Sequence, residues 1–478
     1  MSETPPTPTG TAPTDPASTG KRPHVVVVGG GFGGIAAVRK LKRADVDVTL
    51  IDRHTYNTFN PLLYQVATAS LNPGDITWFL RAIRAKQRNV RFLKGILKSI
   101  DHESRVLHLE GAVDVRYDFL VLACGVTANF FGIPGADKFS MPLYQRSQAL
   151  QVRDRMFANL EDAAINGQDR DLRIIVVGGG ATGVETAGAF AELRNDDMPT
   201  TYPELDRSRI HITLVEMMPH VLGPFHPKLR DYALKSLKKR EVDLRLETAV
   251  KEVREDGVLV EHDGEQAFLP AGIVVWASGI TAHPTVGDWG VPQGRGGRIE
   301  TDDHRRVNGL TDVFAIGDVS IGPEQMPQLA QPAIQGGKYV AEVIKADLKG
   351  RTRKPFKYRD KGTMATIGRS SAVAEIKFLP KLTGFPAWII WVALHLVTLL
   401  GNRNRFATLI NLTAKYLVWG SHNAIVGETP YVIADKPFIV EARGAPRTTS
   451  RQSARRTAES LATRGLEGIR QDRSHDDS

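Results

Sequence analysis

The chain of 478 residues has a single cysteine, Cys124. One thiol excludes an internal disulfide framework and a cysteine-rich metal site. It also excludes chemistry that runs through a redox-active cysteine pair. A reducing compartment agrees with so sparing a use of the residue. No histidine, cysteine or carboxylate cluster has metal-ligand spacing, so no metal is expected. The first residues, 1–21, lack the apolar core of a signal peptide and the arginine-rich pattern of a transit peptide. Their Pro, Thr, Ser and Ala content reads as a disordered leader. Acidic residues are outnumbered, 53 against 62 basic ones, for a formal charge of +9. Such an excess suits nucleic acid, anionic lipid or acidic ligands.

What is present is a repeated pattern. His24 and the valines 25–28 form a β-branched run of the kind that parallel sheets bury on both faces. A glycine turn follows at 29–34, then a helix expected over 35–43 and a second strand over 46–51, closed by Asp52. The pattern recurs as a strand over 173–177, a glycine turn at 178–183, a helix over 184–193 and a strand over 210–215 ending in Glu216. Two such βαβ units indicate two nucleotide domains of Rossmann type in an α/β protein. Apolar runs at 119–123, 273–277 and 313–316 each lead into a small polar turn and read as further sheet strands.

In the first turn Gly29, Gly31 and Gly34 have the dinucleotide spacing. The first glycine permits the turn, the second admits a pyrophosphate and the third lets helix pack on strand. The helix N-terminus offers free N–H groups to the phosphates. Asp52 lies where an acid accepts hydrogen bonds from a ribose diol. In the second turn Gly178, Gly180 and Gly183 repeat the spacing, with Glu216 as the acid. An insertion over 195–209, containing Pro199 and Pro203, accounts for its longer separation. A carboxylate there would repel a 2′-phosphate, and Met217 and Met218 follow instead of an arginine, which favours NADH over NADPH. Two dinucleotide sites in one chain imply an electron relay, and a flavin in one of them can take a hydride and release electrons singly or in pairs. Asp318, at the end of the last strand, can accept from a ribityl hydroxyl beside the first site, although an Ile-Gly-Asp taken by itself is commonplace and leaves an ordinary strand-end turn the better reading.

The chain resembles the type II NADH dehydrogenases, single-subunit NADH:quinone oxidoreductases that do not pump protons. The resemblance spans residues 23–441. It rests on the two glycine motifs, on Phe59-Asn60-Pro61-Leu62-Leu63-Tyr64-Gln65-Val66-Ala67, on Ala315-Ile316-Gly317-Asp318, on Ala330-Gln331-Pro332-Ala333-Ile334-Gln335 and on Gly401-Asn402-Arg403-Asn404-Arg405. It implies a flavin disulfide reductase fold with FAD as cofactor and NADH as substrate. Gly29, Gly31, Phe32, Gly33, Gly34, Asp52, Arg53, Gly125 and Asp318 would hold FAD, and Asn60, Pro61 and Leu62 would lie near flavin and quinone. Gly178, Gly180, Thr182, Gly183, Glu216, Ser278 and Gly279 would face NADH. Glu185 would stand beside nicotinamide and flavin; from the residues alone it could equally complement the helix dipole. Gln331 and Gln335, spaced i, i+4, share a helical face, and the resemblance puts both at the quinone pocket; the residues alone leave a cap or surface contact open.

The division expected is a leader at 1–21, a first FAD-domain segment at 22–165, an NADH domain at 166–285, a returning FAD segment at 286–350, a membrane and quinone region at 351–443 and a basic tail at 444–478. Residues 384–400 are apolar and aromatic but short for a span, about 25 Å as a helix against a ~30 Å core. Trp388, Trp391, Arg403 and Arg405 suit an element lying in the interface, with Tyr416 and Trp419 extending it. A buried helix or a dimer interface is the competing view. The basic stretch 351–369 suits anionic lipid. The basic residues lack a recognition fold, so no nucleic acid is expected. The expectation is thus a peripheral enzyme at the cytoplasmic face of a bacterial membrane, a homodimer by resemblance, carrying electrons from NADH through FAD to ubiquinone or menaquinone. Alternatives are a soluble ferredoxin or small-carrier reductase and a non-enzymatic redox sensor. His395 reads as a packed histidine, and Cys124 as a small residue at a buried strand end.

Overall fold

A computed structural model describes residues 22–167, 170–377 and 379–417. The expected leader and tail, Trp419 and the Tyr416 side chain lie outside the described residues. In chain order the main elements begin with β1 (His24–Val28), α1 (Phe32–Lys40), β2 (Asp47–Asp52), β3 (Val90–Lys94) and β4 (Phe119–Leu122). Next come β5 (Met141–Pro142), α2 (Arg146–Asn166), β6 (Leu172–Val177), α3 (Ala181–Glu192), β7 (Ile210–Val215), β8 (Asp243–Arg245) and β9 (Ile273–Trp276). The series ends with β10 (Val313–Ala315), α4 (Ala330–Asp347), α5 (Gly384–Thr398) and α6 (Asn402–Leu417).

Two five-stranded parallel sheets have the same plan. The first runs β10-β4-β1-β2-β3 and the second β5-β9-β6-β7-β8. In register, Val25 to Val28 face Val48 to Ile51 on one side and Phe119 to Leu122 on the other. Ile174 to Val177 likewise sit between Ile212 to Val215 and Ile273 to Trp276. Helices cover one face of each sheet and an antiparallel meander covers the other, so the central strands are apolar throughout and do not alternate. Each unit inserts a three-stranded antiparallel meander, at 97–116 and 248–270, before β4 or β9. The chain leaves the first unit along Val126–Ala128 and returns along Ile280–Ala282, and these two connections pair antiparallel.

Several boundaries differ from expectation. α1 begins at Phe32 and α3 at Ala181, three residues earlier than the apolar periodicity places them. The leading glycines are poor helix formers, but they are chosen for close contact and the tertiary structure overrides propensity. β5 pairs with β9, and α2 buries Ala149, Val152, Met156, Phe157 and Leu160 in the core of the second sheet. These elements were assigned to the first unit, yet they are layers of the second. The insertion after α3 is a π-helical turn (Leu193–Asp197) followed by short helical turns.

After α4 the chain builds a small antiparallel sheet from Thr363–Thr366, Ala372–Glu375 and Leu382–Thr383. α5 lies on it, burying Ala387 and Trp388 against Ala372 and Ala374. α6 is tied to the first unit: Asn404 donates to the Thr77 carbonyl at 2.5 Å and Asn411 to the Asp75 carboxylate at 2.6 Å. α5 has 15 residues, about 22 Å of helix. No described helix is long and apolar enough to cross a membrane. The two tryptophans expected at an outer surface point inward instead, Trp391 being 1% exposed. The outward face of α5 carries Phe385, Ile389, Leu394 and Val397. Periodicity could not tell the faces apart, because α5 is apolar all round.

Candidate functional site

The two glycine turns are superposable in their chemistry. Gly29 has φ of 108° and Gly178 of 110°. The Gly29 N–H donates to the Ile51 carbonyl and that of Gly178 to the Val215 carbonyl, each at 2.8 Å. A Cβ on Gly34 would lie 1.9 Å from the Gly29 oxygen, and one on Gly183 1.8 Å from the Gly178 oxygen. No side chain fits there, so these glycines are what lets each helix begin against its strand. A Cβ on Gly31 or on Gly180 would meet nothing within 4 Å. The space above each turn is therefore open at the position where a pyrophosphate needs it. Neither helix has a side-chain cap or an acid in its first turn. The free N–H groups and dipole there attract an anion.

The acids hold the turns in the same way. Asp52 accepts from the N–H of Gly30 at 2.6 Å and of His54 at 2.7 Å. Glu216 accepts from Gly179 N–H at 2.5 Å and Met218 N–H at 2.8 Å. Burial raises the Asp52 carboxyl above its ordinary range, with the two N–H donors opposing. Asn57, absent from the sequence reading, donates to the Gly30 carbonyl at 2.8 Å and fixes the first turn from below. It carries no motif of its own; only the fold brings it under Gly30.

Around the first turn, Phe32 and Gly33 lie in the first turn of α1, and Arg53 is exposed beside Asp52. Gly125 follows the end of β4, with φ of 71°. Cys124 is exposed there, contrary to expectation, because the strand stops at Leu122, two residues short of it. Asp318 follows β10, and burial pushes its carboxyl up to about 6 with Arg298 opposing. Among the described residues no hydrogen bond engages its carboxylate. An open pyrophosphate position, an uncapped helix, an acid at the ribose side and a second, unengaged acid beyond it fit FAD. Asn60 donates to the Tyr144 carbonyl at 3.3 Å, and Pro61 and buried Leu62 sit in the same helical turn. Around the second turn, Thr182 is exposed at the start of α3, Ser278 and Gly279 follow β9, and the Ser278 side chain lies close to Gly178.

Three distant parts of the chain converge beyond these turns. α3 delivers Glu185, 8% exposed, to the Thr366 N–H at 3.2 Å. Burial pushes its carboxyl up to about 8, with the Thr366 N–H and the Trp391 indole of α5 partly offsetting this. Tyr64 is hydrogen-bonded to the Thr366 hydroxyl at 2.9 Å and its ring lies 6.4 Å from Trp391. His395 stacks on Trp391 at 3.9 Å and meets Phe59 edge-on at 6.0 Å; Phe59 in turn meets Phe32 of α1 at 5.7 Å. Burial pushes His395 down to about 4, so it is a packed, neutral ring. Of these groups only Glu185 was singled out from the sequence as a site residue; Tyr64 stood only within a family motif, Trp391 was read as an interfacial aromatic, and Thr366 gave no signal.

The glutamines part company. Gln335 donates to the Arg359 carbonyl at 2.9 Å and accepts from its N–H at 3.1 Å. Its amide holds the 351–362 segment. Gln331, half-buried in the first turn of α4, has no such engagement among the described residues. No group of His, Cys, Asp and Glu among the described residues could hold a metal.

Paired cradles on two like sheets define a pyridine nucleotide-disulphide oxidoreductase, and the family model so described matches residues 23–337. With one cysteine in the chain, disulphide chemistry is not part of its use of that fold. A second model, the NDH2 C-terminal domain, matches residues 361–419. Type II NADH:quinone oxidoreductase NdhA of Mycobacterium tuberculosis is 38% identical over 412 residues, which are 83% of this chain and 87% of that one. The type II NADH:quinone oxidoreductase of Staphylococcus aureus is 32% identical, over 74% of this chain and 90% of its own. The structure of NDH2 from Plasmodium falciparum in complex with NADH shares the fold, with a TM-score of 0.77 at 20% identity, over 84% of this chain and 99% of that one. The chain belongs to the type II NADH:quinone oxidoreductases.

Proposed function

We propose that this chain oxidises NADH and reduces a quinone drawn from a membrane, with FAD in the first cradle and NADH in the second. The observation that carries the reading is the convergence of the Phe59–Tyr64 segment, Glu185 and α5 at one place between the cradles. Gly29, Gly31, Gly34, Asp52 and Asp318 would hold the flavin. When bound, FAD accepts two electrons from NADH and passes them to the quinone. Glu216 selects an unphosphorylated adenosine ribose. Glu185, protonated at neutral pH by its burial, holds a proton at its carboxyl close to Tyr64 and Trp391. Gln331 supplies an uncharged amide donor suited to a quinone carbonyl, and the Gln335 link to Arg359 makes that residue a brace.

The membrane face is the outward side of α5 and α6. Phe385, Ile389, Val397, Phe406 and Ile410 are all more than 40% exposed, an apolar patch that water does not favour. Exposed Arg403 and Arg405 flank it, and exposed basic residues of the 351–361 stretch add charge suited to anionic lipid. Attachment is peripheral, and in a bacterium it would be on the cytoplasmic face, where NADH is. A homodimer follows from the family resemblance. The test uses the purified holoenzyme with anionic vesicles containing a quinone. Ile410→Glu with Phe406→Glu should lose vesicle binding and quinone reduction while NADH:ferricyanide activity stays. Gln331→Ala should keep vesicle binding and lose quinone reduction at least about tenfold, the scale of a lost hydrogen bond to substrate. Equal losses with both acceptors would refute the quinone reading.

A further inference from the structure

The segment joining the two units carries an aromatic side chain that the sites above leave unused. Phe131 is 59% exposed and has φ of 54°, a left-handed backbone that bulky residues adopt only where the surroundings impose it. They do so here. The Trp276 indole donates to the Asn129 carbonyl at 2.9 Å, and the Phe131 N–H to the Asn129 side chain at 2.9 Å. Val253 N–H holds the Pro134 carbonyl at 2.9 Å. Phe130 packs against Trp276, with ring centroids 5.7 Å apart. Phe131 is thereby turned outward, over the end of β9. A Cβ on Gly279 would lie 2.2 Å from its ring, so glycine at 279 makes room for that ring.

Strand order tells which part of a dinucleotide passes this point. In the second sheet β6 leads into the glycine turn, with β7 and Glu216 on one side and β9 with Ser278 and Gly279 on the other. A pyrophosphate over α3 with a ribose at Glu216 must run its other half toward β9. In NADH that half is the nicotinamide riboside. We propose that Phe131 forms one wall of the nicotinamide half-site and positions that half of the nucleotide against its ring. The proposal rests on the reading of the second cradle as the NADH site. The first cradle has a counterpart: the Tyr144 hydroxyl lies 3.6 Å from the Cβ position of Gly125, and that residue is half-buried.

The experiment is calorimetric titration of the purified holoenzyme with NAD+ and, separately, ADP-ribose, which lacks the nicotinamide. Phe131→Ala should weaken NAD+ roughly three- to tenfold, the range of one aromatic stacking contact, and leave ADP-ribose unchanged. Phe131→Tyr should restore NAD+ binding. A parallel loss of both ligands would make Phe131 a folding residue only and overturn the proposal. An unchanged NAD+ affinity, with wild-type protein binding both ligands, would overturn it while leaving the NADH site in place. Wild-type protein that binds neither ligand would remove the NADH site and the proposal together.

Discussion

The two cradles share a turn, a helix and an acid, and differ in what closes over them. On the first, α4 lies against α1 so tightly that a Cβ on Gly337 would be 2.2 Å from the Gly33 oxygen. On the second, the C-terminal sheet covers α3, with Gly188 set against the backbone of Ile367 and Gly368. The nearby aromatic is the half-buried Tyr144 in one and the exposed Phe131 in the other. The first also gains Asp318 from β10; the second has Met217 and Met218 beside its acid, 69% and 50% exposed. The common parts bind a pyrophosphate and a ribose, which any dinucleotide offers. On the proposed assignment, the covering parts would separate a cofactor that stays from a substrate that must leave each turnover.

That difference can be broken most severely at the matched glycines. Gly34→Val should give colourless protein, because its side chain has no room beside the Gly29 carbonyl. Gly183→Val should give yellow protein that no longer oxidises NADH. The visible spectrum and an NADH assay separate the two, and loss of colour in both variants would mean the units do not bind independently. A smaller effect is expected from Glu185→Gln. The folded carboxyl titrates near 8 against an ordinary 4.5. The folded state thus keeps a proton that the unfolded state has lost, and stability falls as pH rises between these values. The variant should escape this, so its stability relative to wild type should rise by up to about 1.4 kcal/mol per pH unit across that window and level off on either side. Denaturant midpoints from pH 4 to 9 would read it, and parallel curves would show that Glu185 is not a buried acid. The smallest change is specificity. Glu216→Gln removes the charge that repels a 2′-phosphate, and discrimination against NADPH should drop by roughly tenfold, about 1.4 kcal/mol. An unaltered ratio of kcat/KM values would take the ribose role away from Glu216.

Much of the frame was legible before any coordinates. The strands at His24, Leu172 and Ile210, the two glycine turns and both acids follow from β-branched runs and turn chemistry, which act over a few residues. The place of β5 and α2 did not follow, because membership of a sheet depends on pairing with β9 more than a hundred residues away. The brace made by Gln335 depends on where Arg359 falls, and equal i, i+4 spacing could not separate it from Gln331. The exposure of Cys124 depends on where β4 stops, at Leu122, which is set by its pairing with β1.

The amino-acid order alone determined that two dinucleotide cradles exist, that an acid closes each, and that thiol-pair chemistry is absent. These are consequences of residue type and short spacing. Only the tertiary structure decided that Trp388 and Trp391 turn inward while Phe385 and Ile410 face out, that Glu185 is buried beside Thr366, and that Phe131 leans over Gly279. Each depends on which surfaces meet across the chain, and burial, not identity, then sets whether a carboxyl keeps its proton or a ring stays exposed.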